Sequence, residues 1–195
     1  MTFSVDRPEL RNRGDGYERF KDGLASMDKI LEQNGLERSL KLADLQEAHK
    51  KQQPAIIQSI EGGHFLEGHI ERLQEAYDRG LRHLGLLHDN DAIVPLGDVY
   101  TNPVRWDGLT EFGANVIKEC NRLGILIDLA HANQQTVDAA LKLAAHPVII
   151  YFLNGFYNIS HWPNLIMVGF PFISYGLYIH LLIGKGLLSI YMIGY

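Results

Sequence analysis

Three polar side chains stand where apolar runs stop. Glu61 closes AIIQSIE, His88 closes LRHLGLLH, and His131 follows ILIDLA. Short runs of Ile and Leu bounded by turn residues read as buried strands, so each of these residues falls at the carboxyl end of its strand. Parallel α/β sheets build their active sites at that end. A carboxylate and two imidazoles meeting there suit one metal ion, or a substrate that the ion polarises. The plainer alternative has Glu61 capping the next helix and the histidines packing at the sheet rim. Three such groups at equivalent strand ends favour the functional reading. Gly62 and Gly63 follow Glu61 directly. Residues without a Cβ let the chain turn sharply and let a ligand approach the backbone.

Other polar residues bear on the same chemistry. Asp128 lies inside ILIDLA, three residues before His131. It suits an outer carboxylate that orients a ligand, and equally a buried acid bonded to backbone. His64, Glu67 and His69 imitate an inverted zinc motif, but HFLEGH carries one residue too many. Five apart, the two histidines would not share a helical face. His49, His83 and His146 adjoin apolar residues and read as structural, and Asp89, Asn90 and Asp91 read as a solvated turn. Cys120 has no activating neighbour in sequence and reads as a core or partly buried residue.

The elements that must position these groups alternate regularly. Residues 20–34 form a helix with Phe20, Leu24, Met27, Ile30 and Leu31 on one face. Residues 39–51 form a second, with Leu40, Leu42, Leu45 and Ala48 inward. After the first strand comes an amphipathic helix, 69–79, stopped by Gly80. The second strand leads into a loop rich in Asp, Asn, Pro and Gly, 89–108. Thr110 caps a helix ended by Gly124, ILIDLAHA is the third strand, and Asn133 caps QQTVDAALKLAA before Pro147 leads into another strand. Repeated βα alternation calls for a parallel sheet, as a barrel or doubly wound, and strands this apolar suit burial on both faces.

Composition narrows the function and exposes a break. At 195 residues the chain suits one domain but is short for an eight-unit barrel, which needs about 250. A net charge of −5 with pI near 6.0 gives no reason to expect nucleic acid. One cysteine excludes an internal disulfide. Beyond Pro147 the only charged side chain is Lys185, and more than half of the aromatic residues gather there. Residues 165–184 run without a charge, long enough to cross the ~30 Å hydrocarbon core of a bilayer as a helix. A stretch belonging to no evolved fold fits the same composition. The N-terminus lacks the apolar core of a secretory signal, so the cytoplasm or a membrane reached through 165–184 is the expected location.

SIEGGHFLEGHIERLQEAYDRGLRHLGLLHDND, GLTEFGANVIKECNRLGILIDLAHA and AAHPVI, in that order, resemble the membrane dipeptidase (renal dipeptidase) family of zinc metallopeptidases, across roughly residues 15–149. The resemblance implies a (β/α)8 barrel of the amidohydrolase group, with two zinc ions and dipeptide substrates. By motif, Glu61 corresponds to the carboxylate bridging both zinc ions and His131 to a ligand of the second. His88 corresponds to the histidine that contacts substrate and helps stabilise the tetrahedral intermediate. The implied reaction is attack of a zinc-activated hydroxide on the peptide carbonyl. The family's first strand carries a His-x-Asp pair for the first zinc, and no such pair occurs in this sequence. Ser160 and His161 come late for the family's Ser-His-Ser segment, and the arginine and aspartate of the later family strands have no counterpart.

The expected fold is therefore α/β, a partial (β/α)8 TIM-type barrel resembling metal-dependent hydrolases over 1–149, with an apolar, non-family or transmembrane tail over 150–195. The expected function is a zinc-dependent dipeptidase, impaired in this chain alone. The alternative is a non-catalytic membrane-attached remnant or an incomplete gene product. A dimer is compatible with these residues without being dictated by them.

Overall fold

The computed structural model describes residues 1–152 and the strand backbones at 165–169, 177–183 and 186–192. Its chain order is β1 (Thr2–Ser4), α1 (Asp15–Gln33), α2 (Leu42–Lys50), β2 (Gln58–Glu61), a 3-10 turn (Gly63–Leu66), α3 (Arg72–Asp78), β3 (Leu81–Gly85), α4 (Glu111–Leu123), β4 (Leu126–Asp128), α5 (Gln134–Leu143) and β5 (Val148–Phe152). Strands β6 (Leu165–Gly169), β7 (Leu177–Ile183) and β8 (Gly186–Met192) follow. All eight lie side by side in chain order in one sheet. Pairing is parallel from β1 through β6 and antiparallel for β6 with β7 and β7 with β8. From β1 to β5 the βα alternation enforces parallel pairing, because helices carry the chain back between those strands.

The sheet has two unlike faces. Ile60, Leu84 and Ile127 occupy matching positions in β2, β3 and β4 and are buried. They share one core with Phe20 and Leu24 of α1, Leu73 of α3, Ile117 of α4 and Val137 of α5. The alternate positions carry Ser59 and Glu61 in β2, His83 in β3 and Asp128 in β4. The second face is buried at Ser59 and Asp128, in keeping with a sheet buried on both sides, but it carries mostly polar groups beside Leu126. The polar face is the one a barrel turns toward its interior.

Helix ends follow local chemistry. Thr110 Oγ1 accepts from Gly113 N at 3.0 Å and Asn133 Oδ1 from Thr136 N at 2.8 Å, so both helices start as expected. Gly124 is left-handed at φ 73° and closes α4. Cys120 is buried in α4, and burial pushes its thiol pKa up to about 12. In α1 the inward residues are Phe20, Leu24, Met27 and Leu31, while Ile30 is exposed. Helix α2 departs further. It starts at Leu42 because Asp44 Oδ2 accepts from the backbone of Leu40 and Lys41 at 2.8 and 3.0 Å. No α2 residue is buried, and Leu40 and Leu42, expected inward, are exposed.

Within 165–184, where the sequence admits a membrane-spanning helix, the described residues form β6 and β7 instead. Branched and aromatic side chains favour strands, and a helix through this stretch would carry Pro171 in its interior at a cost of about 3 kcal/mol. The remaining positions, 170–176 and 184, lie outside the described residues. No helix among the described residues is long and apolar enough to cross a membrane. The expected domain boundary between 149 and 150 falls inside β5, and the described tail strands continue the sheet from it.

Candidate metal centre

Ser4, Glu61, Gly85 and Asp128 form one row across β1 to β4, which places the ends of these strands together. Glu61 is the last residue of β2. The next residue, Gly62, has φ 92°, and a Cβ there would come within 2.6 Å of His64 Nδ1. Glycine is therefore required for the turn that leaves Glu61 at the rim. His88 lies three residues beyond β3, after buried Leu86 and Leu87. Leu86 N donates to the Asp128 carbonyl at 2.9 Å, tying this segment to the neighbouring strand end. His131 follows β4 by the same interval, and its carbonyl accepts from Tyr100 N at 3.1 Å.

The three expected residues converge. His88 Nε2 is 3.5 Å from Glu61 Oε2, and His131 Nε2 is 3.7 Å from Glu61 Oε1. Each carboxylate oxygen thus faces a different ring. The ring centroids lie 4.3 Å apart with a 35° tilt, and Tyr100 stacks against His131 at 6.2 Å. One donor atom from each of Glu61, His88 and His131 lies within 4.8 Å of the others.

Both rings use their other nitrogen on an acid. His88 Nδ1 is 2.5 Å from Asp6 Oδ2, and His131 Nδ1 is 3.0 Å from Asp89 Oδ1. The His131 imidazole beside Glu61 holds that carboxyl below its ordinary value, reinforced by the charge on His88. Reciprocally, Glu61 first and Asp89 second hold His131 above the usual histidine value. Burial would raise Asp6, yet the hydrogen bonds from His88 and Asn90 outweigh it and keep the carboxyl low.

Several expectations change. Asp128 accepts from Ala130 N at 2.9 Å and lies 3.4 Å from His83 Nε2, so it shapes the turn before His131 and does not hold the ring. Of the two roles open to it in the sequence, the backbone-bonded acid is the one adopted. The ring is held by Asp89, which is no mere solvated turn residue. His83 bonds Ser59 Oγ at 2.7 Å, in keeping with a structural role, and His49 and His146 are exposed. Glu67 takes both backbone N–H groups of Gly14 and Gly16 at the start of α1, together with Arg72, so it belongs to the scaffold. His64 bonds the Asn90 carbonyl at 2.8 Å, and His69 pairs with Glu71 at the surface. Ser160 and His161 lie outside the described residues.

Sequence reasoning passed over Asp98, a buried acid in the loop over the site. Its carboxylate accepts from Arg105, Trp106 and Gly108 N–H groups, while its carbonyl accepts from Asn133 N and Thr136 Oγ1. This knot holds Val99 and Tyr100 against the His131 segment. Its signal in sequence is weak: one acid among several in a polar loop.

The donors fit a metal ion. With one ligand atom taken from each of Glu61, His88 and His131, the donors lie close enough together to hold one ion. One carboxylate and two imidazoles are also the donor types that zinc accepts.

A parallel sheet with helices on one face and such a cluster at its carboxyl edge is the arrangement of part of a (β/α)8 barrel. The family model for membrane dipeptidase, peptidase family M19, matches residues 2–151. The chain belongs to that family. It is similar in fold to an amidohydrolase from Pseudomonas aeruginosa, with 20% identity over 76% of this chain and 42% of that one, at a TM-score of 0.65. A dipeptidase AC, a metallopeptidase of family M19, matches at 20% identity over 77% and 48%, TM-score 0.66. A metallopeptidase from Rhodobacter sphaeroides, liganded with a phosphinate mimic of the dipeptide L-Ala-D-Ala, matches at 21% identity over 75% and 43%, TM-score 0.61. The chain spans less than half the length of these structures.

Proposed function

We propose that this chain carries the Glu61–His88–His131 portion of a zinc-dependent dipeptidase site, acting on the peptide bond of dipeptides. The observation that carries the reading is the convergence of those three donors at the strand ends of a sheet matched by the membrane dipeptidase family. Glu61 and His131 are the metal ligands, with Glu61 offering one oxygen to each side. A zinc ion bound there supplies Lewis acidity to a carbonyl oxygen and lowers the pKa of water.

The chain's own residues do the rest. His88, with Nδ1 on Asp6, turns Nε2 into the space beside Glu61. When doubly protonated, that ring donates its Nε2–H to the substrate oxygen that gains charge, and binds substrate through the same contact. Tyr100, on the loop fixed by Asp98, stacks on one side of His131.

Turnover by this chain alone is expected to be slight, since the His-x-Asp pair that the family uses for its first zinc is missing from the sequence. Zinc titration of the purified protein by calorimetry tests the reading, alongside hydrolysis of a dipeptide panel. Saturable zinc binding is expected, weakened in Glu61→Gln by more than the ~10–100-fold typical of losing an outer partner. Wild-type and Glu61→Gln proteins with equal zinc affinity would overturn it.

A further inference from the structure

A cleft of about 490 Å³ opens between the end of α1, the segment 36–40 and the corner joining α3 to β3. Gly80 precedes β3, and Arg38 pairs by backbone with Ile56 just before β2, so the cleft lies at the amino ends of the strands, opposite the Glu61 rim. Its volume falls within the range of pockets that seat ligands, about 300–1,000 Å³. Leu31, Leu36 and Leu40 give it an apolar lining, and Leu40 is 45% exposed. Two residues on, Leu42 is 69% exposed, and α2 buries none of its residues. Apolar surface therefore stays uncovered at this end of the sheet.

The charges around the cleft are uneven. Arg38 Nη2 donates to Asp28 Oδ1, and Arg79 Nη2 donates to Asp28 Oδ2 at 2.7 Å. Arg38 Nε also donates to Gln58 Oε1 at 2.5 Å, so both guanidiniums are committed to the scaffold. Glu32, Glu37 and Asp78 line the same cleft and are exposed. Among the described residues no basic side chain pairs with any of the three, and Asp78 accepts only from the neutral Gln74 amide. Helices α1 and α3 both end here, and neither has a basic residue in its last turn. A helix C-terminus is the negative end of its dipole and favours cations, so Glu32 and Asp78 stand where their charge opposes the fold. A cation docked between them would offset that repulsion.

We propose that this cleft docks a segment of a partner protein that carries a lysine or arginine next to an apolar side chain. The apolar residue rests on Leu36 and Leu40. The stem of the basic residue runs over the same surface, and its cationic head meets Glu32, Glu37 and Asp78.

Fluorescence anisotropy of the full-length protein tests this, using a labelled hexapeptide of alternating leucine and lysine beside one of alternating leucine and glutamate. The leucine–lysine peptide should bind saturably and more weakly as salt rises, and the leucine–glutamate peptide should not bind. Glu32→Gln and Glu37→Gln should each weaken binding about two- to fivefold. Leu40→Asn should weaken it about four- to tenfold. All three positions are exposed, so the variants should keep the wild-type circular dichroism spectrum. In 15N-labelled protein, the peptide should shift amide resonances around Leu36, Leu40 and Gly80. Equal binding of the two peptides, unchanged affinity in all three variants, or shifts gathered elsewhere would overturn the proposal. So would calcium alone shifting these amides while the peptide does not bind, which would assign the carboxylates to a divalent cation. Self-association that Leu40→Asn abolishes, again without peptide binding, would overturn it in favour of a second copy of this chain.

Discussion

At the scale of single residues, the site behaves as a coupled acid and base. Glu61 sits below its ordinary value because His131 stands beside it, and His131 sits above its own because Glu61 and Asp89 do. The Glu61 contribution to stability is present above pH 4.5 and is lost as acid protonates the carboxylate in the folded protein. The His131 contribution is present below pH 6.5 and is lost as pH climbs through its raised folded value. The pair therefore supports the metal-free fold most between pH 4.5 and 6.5. A metal ligand must be unprotonated, so zinc competes with that proton. Zinc uptake just above pH 6.5 should release a proton, seen as binding heat that varies with the buffer's ionisation enthalpy. Identical heats in all buffers would contradict the assignment of His131 as a ligand.

At the scale of elements, two close contacts fix α4 and α1 against the segments beside them. Helix α4 lies so close to the loop before it that a Cβ on Gly113 would stand 1.8 Å from the Leu96 carbonyl oxygen. Backbone cannot yield as a flexible side chain would. Gly113→Ala should cost about 1–3 kcal/mol, read from urea unfolding, and a neutral result would show that α4 and the loop can part without loss. Glu67 sits under α1, where it accepts from Gly14 and Gly16 and pairs with Arg72 at 3.1 Å. Glu67→Ala leaves those donors without their acid and should cost about 3–5 kcal/mol. Where the variant remains folded, its zinc affinity should match wild type. A large loss of zinc binding with normal stability would contradict this scaffold role for Glu67. The sequence motif around His64 and His69 draws attention to this acid for the wrong reason.

At the scale of the whole molecule, Glu61 at the end of β2 and His131 beyond β4 meet only when β2, β3 and β4 are in register. A metal bound by both should therefore stabilise the folded chain by linkage. At free zinc one hundred times its dissociation constant, the gain is about 2.7 kcal/mol, visible as a rise in Tm by differential scanning fluorimetry. Glu61→Gln should lose most of that rise, whereas an unshifted wild-type Tm would show that zinc does not bind the native state.

Much of the scaffold was legible in the residues themselves. Thr110, Asn133 and Gly124 mark helix ends through contacts reaching three or four residues away, and the spacing of Phe20, Leu24, Met27 and Leu31 marks the inner face of α1. The positions of Glu61, His88 and His131 could be singled out because each ends an apolar run. Tertiary structure alone decided the partners of the two rings, since Asp6 lies 82 residues from His88 and Asp89 lies 42 from His131. It also decided that α2 stays on the surface and that the sheet keeps a polar face. Periodicity and capping act over one or two turns and leave their mark on neighbouring residues. A hydrogen bond between distant strand ends leaves none, because the register that creates it is a property of the assembled sheet.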